Sequence, residues 1–166
     1  MKNNGTISHV DAVATFRYVK STGQIWWRCP REPKLKLYPA GSISDKGYIS
    51  IEHHNIVYKA HRLAWFIVTG EWPKNQIDHR NRIKHDNRWQ NLREATNGQN
   101  KSNCRVYANN RCGVKGVHQR GPGRFRATIH LNKKRFDLGT YPSVDEAAAV
   151  YALAAKRLFG EFARAK

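Results

Sequence analysis

Residues 76–103 have the sequence QIDHRNRIKHDNRWQNLREATNGQNKSN, and this stretch decides how the chain is organised. It places an acid and an imidazole, Asp78 and His79, directly after an apolar residue, and it continues into a polar loop rich in Asn and Arg. A short apolar-alternating run, Leu92–Ala95, predicts a second strand. Thr96 with a glutamine three residues later has the pattern of a capping box, which predicts a short helix with Asn100 in its first turns. The stretch therefore predicts strand, loop, strand and helix around one compact site.

Asp78 and His79 suggest a chemistry for this site, the hydrolysis of a phosphodiester. That reaction needs a base to activate water and a divalent cation to neutralise charge on the scissile phosphate. The Asp78 carboxylate and the Asn100 carboxamide are hard oxygen donors suited to such an ion. His79 points to the opposite face of an extended chain from Asp78 and titrates near neutrality, so it can serve as the base. An Asp-His pair by itself, however, is more often a surface feature than a site.

The longer string is more specific, and it resembles the HNH endonucleases in the branch found in phage and intron homing enzymes. The resemblance implies a ββα-metal unit in which His79 is the general base and a single divalent ion, Mg²⁺ or Mn²⁺, is bound by Asp78 and Asn100. It also implies that Asn91, counted with His79 among the catalytic residues, braces the loop. The third motif position is Asn100 instead of histidine, which makes the metal site all-oxygen. Asn87 and Asn97 are close enough to leave the asparagine assignments open. The motifs that carry the resemblance are Asp78-His79, Asp86-Asn87-Arg88, Asn91-Leu92-Arg93 and Gln99-Asn100.

The charge of the chain points to a polyanionic partner. Its 166 residues carry a formal net charge of +18, and the isoelectric point is near 10.3. Such an excess of Lys and Arg favours nucleic acid, and double-stranded DNA is the expected partner. Residues 1–103 hold 17 basic and 8 acidic side chains, and residues 104–166 hold 13 and 4, so each part carries +9. We therefore expect both parts to contact the nucleic acid.

Three cysteines without a Cys-x-x-Cys pair make a zinc ribbon improbable and favour reduced thiols. The first residues lack the apolar core of a secretory signal, and the longest apolar run, within residues 63–68, is too short to span a bilayer. The sequence therefore predicts a cytoplasmic protein of a bacterial or phage-infected cell. We expect a monomer with no membrane contact and no small-molecule cofactor.

Upstream of the quoted stretch, the pattern predicts two hairpins and a helix. Residues 16–19 and 24–28 flank a Ser-Thr-Gly turn, residues 48–51 and 56–58 flank a second turn, and residues 31–36 form a loop. His61 to Gly70 is predicted to be a helix that aims Asp78. His61 could reach phosphate or metal, although a structural role for a histidine at a helix start is commoner. The resemblance to phage HNH proteins extends over residues 16–103.

The C-terminal part has a regular pattern of strands followed by a helix. In Arg124–Leu131 the residues Phe125, Ala127, Ile129 and Leu131 share one face. Strands over residues 114–120 and 133–139 flank it, and a helix begins at a capping box on Ser143 and ends at Gly160. Its predicted apolar stripe consists of Val144, Ala148, Tyr151, Ala155 and Leu158. A sheet backed by one helix buries one face only, so the basic outer face needs a partner.

Residues 112–162 resemble the plant ethylene-response-factor (Apetala-two) DNA-binding domain, which is also found fused to HNH nucleases in phages. That family reads DNA with the outward face of its sheet. The first strand departs from the plant form, because His118-Gln119 stands in place of an Arg-rich pair. The motifs that carry the resemblance are Gly116-Val117, Phe125-x-Ala127-x-Ile129, Leu138-Gly139-Thr140-Tyr141 and Glu146-Ala147-Ala148-x-x-Tyr151. The predicted DNA-contacting residues of this domain are Arg120, Arg124, Arg126, Lys134 and Arg135.

The sequence thus predicts an α+β protein with a nuclease domain at residues 1–103, a linker at 104–111 and a sheet-plus-helix DNA-binding domain at 112–166. We expect a homing-type, site-selective DNA endonuclease in which Arg93 or another nearby basic residue steadies the phosphate. A DNA-binding protein with an inactive nuclease module is the alternative. RNA is disfavoured as the substrate because neither domain has the aromatic platform typical of single-strand readers.

Overall fold

A computed structural model of the protein describes residues 7–28, 38–104, 106, 110–131 and 134–164. The α+β class is confirmed, with four helices and several small antiparallel sheets in this part of the chain. The chain divides into two compact units, residues 1–94 and residues 95–166. The predicted domain boundary at 104–111 stays a prediction. The predicted loop at 31–36 lies outside the described residues.

In its described residues, 7–28 and 38–94, the first unit combines two short helices with seven short strands. Strands β1 and β2 form one hairpin, β3, β4 and β5 form a three-stranded sheet, and β6 pairs with β7. A 3-10 turn at Trp89–Asn91 leads into β7. The elements are α1 (His9–Thr15), β1 (Phe16–Val19), β2 (Gln24–Trp27), β3 (Ser42–Ile43), β4 (Ile49–His53), β5 (Ile56–Lys59), α2 (Ala60–Thr69), β6 (Gln76–His79) and β7 (Leu92–Ala95).

Both predicted hairpins of this unit are confirmed. In the first, Phe16 pairs with Trp27 across an antiparallel register. The second turns at His54 and Asn55, whose φ angles are 50° and 61°. Positive φ at both central residues is the mirror-image turn that matches the twist of a hairpin. Helix α1 follows a serine cap at Ser8 and was not predicted.

Helix α2 is confirmed as the element that precedes the site. It ends at Gly70, whose φ of 80° is left-handed and whose N–H donates to Phe66 O. Leu63 and Ala64 are fully buried, and they pack in a core that also holds Phe16 from β1. Burial of this stripe removes apolar surface from water, which fixes the orientation of α2 in the unit.

The second unit contains a short helix, a three-stranded antiparallel sheet and a long helix. Its elements are α3 (Asn97–Asn103), β8 (Val117–Gly121), β9 (Arg124–Leu131), β10 (Lys134–Tyr141) and α4 (Val144–Phe159). Strand β9 lies in the middle of the sheet. The predicted face of β9 is buried, since Ala127 and Ile129 pack in two apolar clusters against residues of α4. None of the described helices is long and apolar enough to cross a membrane.

One position of the predicted α4 stripe is wrong. Leu158 is 42% exposed, and Phe159 occupies the buried position in its place. Tyr151, Ala155 and Phe159 are spaced four residues apart, so the buried face follows this row and turns away from Leu158. The predicted capping box and the end at Gly160 match the helix, because Ser143 Oγ accepts from Glu146 N and Gly160 follows the last turn.

Candidate active site and nucleic-acid interface

Asp78 and His79 lie at the end of strand β6, and both are buried. Asp78 is 4% exposed and His79 is 5% exposed, and Ile77 before them is buried as well. Successive side chains of a strand point to opposite faces. Both faces are therefore covered at this point, which gives an acid and an imidazole a largely water-excluded environment.

His79 is held by a second buried polar residue, Asn87. His79 Nε2 lies 3.1 Å from Asn87 Oδ1, and Asn87 is only 1% exposed. A carboxamide oxygen only accepts hydrogen bonds, so a hydrogen bond between these two atoms requires the proton on Nε2. The tautomer that results leaves Nδ1 as the nitrogen that can take a proton.

Burial also sets the charge state of His79. It lowers the pKa of His79 below its usual value, while the hydrogen bond to Asn87 and the nearby Asp78 oppose that shift in part. A lowered pKa keeps the imidazole neutral at pH 7. Neutral imidazole is the form that can accept a proton from water.

His61 lies directly beside His79. It occupies the first turn of α2 and is 7% exposed, and its ring centroid is 5.1 Å from that of His79. Its Nδ1 is a buried atom with no hydrogen-bond partner among the described residues. Burial, followed by the neighbouring His79, lowers the pKa of His61 to about 3. His61 is therefore a neutral, buried neighbour of the candidate base.

We expect the depressed pKa of His61 to make the protein less stable in mild acid. The unfolded chain binds a proton at His61 below pH 6.5, and the folded chain does so only near pH 3. The free energy of unfolding is therefore unaffected by His61 above pH 6.5, and it decreases as the pH falls from 6.5 toward 3. From pH 7 to pH 5 the loss is about 2 kcal/mol. Urea unfolding at both pH values, with His61→Asn as the comparison, measures it. Equal pH dependence in the two proteins would contradict the assignment.

Asp78 is paired with Arg93 from the neighbouring strand β7. Asp78 Oδ2 accepts from Arg93 Nε at 2.9 Å and from Nη2 at 2.8 Å. Both side chains are less than a tenth exposed. A buried carboxylate needs such a partner because its desolvation is otherwise costly. The predicted contact of Arg93 with a phosphate stays a prediction, and in this structure the guanidinium neutralises Asp78.

Asn91 ties together the loop between β6 and β7. Its Oδ1 accepts from Asn81 N at 3.0 Å, and its Nδ2 donates to Asp86 O at 2.6 Å. Asp86 in turn binds Arg88, which lowers the pKa of Asp86 to about 2. These contacts close the loop on itself, and the role of Asn91 among the catalytic residues stays a prediction.

Asn100 lies in helix α3, in the second unit. The predicted capping box is present, since Thr96 Oγ1 accepts from Gln99 N and Gln99 Oε1 accepts from Thr96 N. Asp78 and Asn100 come from different units, and their joint metal site stays a prediction. Their carboxylate and carboxamide oxygens fit a hard cation such as Mg²⁺ or Mn²⁺. No group of three or more His, Cys, Asp or Glu that could hold a metal occurs among the described residues, but one acid with one amide would not form such a group.

The outer face of the second unit's sheet is basic. Arg120, Arg124, Lys134 and Arg135 are exposed on its three strands. Arg126 in the central strand is partly buried and forms an ion pair with Asp137. That pairing lowers the pKa of Asp137, whose carboxylate also accepts from Gly139 N. Asp137 is the one acid in these strands, and Arg126 already neutralises it. The remaining face is therefore positively charged.

Two of the residues around His79 are not predicted by the sequence pattern. In the sequence, Asn87 is one of several asparagines of the motif, and Tyr18 lies far from it along the chain. In the structure, the Tyr18 hydroxyl donates to Asn87 O at 2.7 Å. Sixty-nine positions separate Tyr18 from Asn87. No local pattern reports a contact over that distance, so only the folded chain reveals it.

Comparison with known proteins finds similarity to one family and to two individual proteins. The sequence model of a family described as HNH endonuclease matches residues 58–102. An uncharacterized HNH endonuclease of Acanthamoeba polyphaga mimivirus is 33% identical over 105 residues, which cover 62% of this chain and 54% of that protein. The dehydration-responsive element-binding protein 2A of Arabidopsis thaliana is 43% identical over 58 residues, which cover 34% of this chain and 17% of that protein.

The chain thus spans about half the length of the viral relative and about a sixth of the plant one. No solved structure matches the chain. The fusion to a plant-type domain and the phage branch stay predictions. Residues 58–102, which hold Asp78, His79, Asn91 and Asn100, match the HNH endonuclease family, and it is this segment that carries the candidate active site.

Proposed function

We propose that the protein is a metal-dependent, site-selective DNA endonuclease of the homing type. The observation that carries the proposal is the buried pair of Asp78 and His79, with His79 Nε2 held by Asn87, inside the segment that matches the HNH endonucleases. The match supports nuclease activity in general. Metal dependence, DNA as the substrate and site selectivity are the proposed parts.

In the proposed reaction His79 is the general base. Asn87 holds the ring in one tautomer, and His79 Nδ1 takes a proton from the attacking water. Asp78 and Asn100 would hold one divalent cation, which when bound supplies neutralisation of charge at the scissile phosphate. Arg93 keeps the Asp78 carboxylate in place at the end of β6. Asn91 keeps the connecting loop closed.

The second unit is proposed to bind the duplex with the outer face of its sheet. The exposed cations of β8, β9 and β10 supply the charge, and a sheet of this width can enter the major groove. Arginine recognises guanine there through paired hydrogen bonds. Tethering of the two contacts in one chain raises the effective concentration of the second, so each can be weak by itself.

One observation favours a second candidate, a DNA-binding protein whose nuclease is inactive. Asp78 Oδ2 already accepts two hydrogen bonds from Arg93, and a cation must compete with that guanidinium. A plasmid cleavage assay distinguishes the two functions. The wild-type protein is incubated with supercoiled plasmid in Mg²⁺ or Mn²⁺ and, separately, in EDTA. Nicked or linear plasmid in Mg²⁺ or Mn²⁺, but not in EDTA, supports the proposal that the protein is a nuclease. Intact plasmid under all conditions, with retarded duplex in a gel, supports the binder.

We expect Arg124→Ala combined with Arg126→Ala to weaken duplex binding by a few kcal/mol at most, because one bidentate arginine contact is worth about 1–3 kcal/mol. A gel shift at one fixed salt concentration measures the change. Lys156→Ala with Arg157→Ala is the matched control, since it removes two positive charges from exposed positions of α4. Equal losses for both double variants would mean that the sheet face is not the reading surface.

A further inference from the structure

We propose that the first hairpin, β1–β2, is a working part of the active site, because it holds Asn87 in the position from which Asn87 orients His79. Tyr18 and Gly23 are then positioning residues for the base. The hairpin lies outside residues 58–102, the segment that matches the HNH family. The inference rests on the proposed function in one respect, that His79 is the base.

The hairpin contacts the loop over residues 87–89 at three points. The Tyr18 hydroxyl donates to Asn87 O at 2.7 Å, and Trp89 N donates to Lys20 O at 3.0 Å. Gly23, at the turn, packs on the main chain between these two bonds. A Cβ built on Gly23 would lie 2.3 Å from Arg88 N and 2.4 Å from Asn87 C. The turn and the loop therefore touch backbone to backbone, which only glycine permits here.

Gly23 is suited to this contact in a second way. Its φ is +75°, a left-handed conformation that side chains rarely adopt. A methyl group at this position would have to displace main-chain atoms of the loop, because backbone cannot swing away as the end of a flexible side chain can. The hairpin therefore sets the distance between its turn and the loop within narrow limits.

Asn87 connects the hairpin to His79, because it contacts both. Its main-chain carbonyl accepts from Tyr18, and its side-chain Oδ1 lies 3.1 Å from His79 Nε2. The residue is fully enclosed at 1% exposure, so its side chain has little room to adjust to a shifted backbone. Within the loop, Arg82 N donates to His79 O and Asn91 Nδ2 donates to Asp86 O, which ties the loop to the end of β6. The hairpin adds contacts from outside the loop at residues 87–89, next to the side chain that meets His79.

Removal of the Tyr18 hydroxyl can test whether the hairpin positions Asn87, because it does not change the packing of the core. Phe16 and Ile25 of the same hairpin are core residues, and any change to them would disturb the whole unit. Tyr18 is half-buried, and burial raises the pKa of its phenol, so it is the neutral donor at every working pH. Removal of its oxygen alone leaves the ring and the core in place.

The test combines catalysis with a direct view of the His79 ring. Tyr18→Phe is expected to lower kcat by about 2- to 10-fold, the equivalent of one lost hydrogen bond, with KM for duplex unchanged. Asn87→Leu, which removes the acceptor, is expected to lower kcat by about 100-fold. Tyr58→Phe is the matched control, because it removes the same oxygen from a buried tyrosine of the same unit, whose hydroxyl accepts from Ile7 N.

Nitrogen-15 spectra of histidine-labelled protein at pH 7.5, without DNA, report the tautomer of His79, whose signals are identified by their absence in His79→Ala. We expect a single Nε2–H form in wild type and in Tyr58→Phe, and a mixture of tautomers in Asn87→Leu and Tyr18→Phe. Gly23→Ala is expected to show the same mixture if it folds. Because the spectra need no cleavage, an inactive wild type would refute the proposed function and still leave this inference testable. Wild-type His79 signals in Tyr18→Phe would overturn the role of the hairpin, and a change in Asn87→Leu alone would not rescue it.

Discussion

His79→Ala is expected to lower kcat for plasmid cleavage by about 10²–10⁴-fold, the contribution typical of a positioned general base. The physical reason is the combination of burial and tautomer at this residue. Burial lowers the pKa of His79, so the imidazole is neutral at pH 7, and Asn87 holds its Nε2. Alanine removes the imidazole that is proposed to take a proton from water, and it does not change any residue of the basic face of the second unit.

Single-turnover cleavage of supercoiled plasmid, with duplex affinity measured alongside, checks this prediction. Affinity is expected to stay close to wild type, so the loss should appear in the single-turnover rate constant of cleavage. His54→Asn is a suitable control, because His54 is an exposed histidine at a hairpin turn with a φ of 50°, and asparagine tolerates that conformation. Cleavage by His79→Ala at the wild-type rate in the same metal would exclude His79 as the base.

The second large effect is expected from the buried pair of Asp78 and Arg93. Asp78→Ala leaves a buried guanidinium without its carboxylate, and Arg93→Met leaves a buried carboxylate without its guanidinium. Either change is expected to lower the free energy of unfolding by about 3–5 kcal/mol. The double variant Asp78→Leu with Arg93→Met should recover most of that loss, because it leaves no buried charge unpaired.

Urea unfolding of the two single variants and the double variant gives the coupling energy as a double-mutant cycle. Arg88→Met is the comparison, since the Arg88–Asp86 ion pair involves a side chain that is 44% exposed, and its loss should matter far less. Additive losses in the double variant would show that the pair does not hold Asp78 at the end of β6. Cleavage is not expected to return in the double variant, because the proposed oxygen ligand is missing.

The local elements of the fold could be predicted because their signals are short-range. The second hairpin follows from two strand patterns around a turn, and α2 follows from an apolar stripe that ends at Gly70. The capping box of α3 is a contact between residues three positions apart. Leu158 was misplaced because two neighbouring apolar residues, Leu158 and Phe159, fit a helical stripe almost equally well. The choice between them depends on the sheet that faces the helix.

The candidate site was predictable only in part. Asp78, His79 and Asn91 could be named from their spacing in one motif, and the structure describes all three within the first unit. The partner of each could not be named. Arg93 was expected at a phosphate, but it lies against Asp78, and the residue that holds His79 is Asn87.

The sequence by itself determined which functional groups are present, namely an acid, an imidazole and amide oxygens at fixed spacing in a strongly basic chain. Tertiary structure alone decided how those groups are used. It buries His79 and His61 together, which depresses both pKa values, and it brings Tyr18 to Asn87 across sixty-nine residues. The physical reason is the separation along the chain over which each kind of interaction acts. Turns, caps and alternation depend on neighbours along the chain, whereas desolvation and long-range hydrogen bonds depend on which distant segments the core brings into contact.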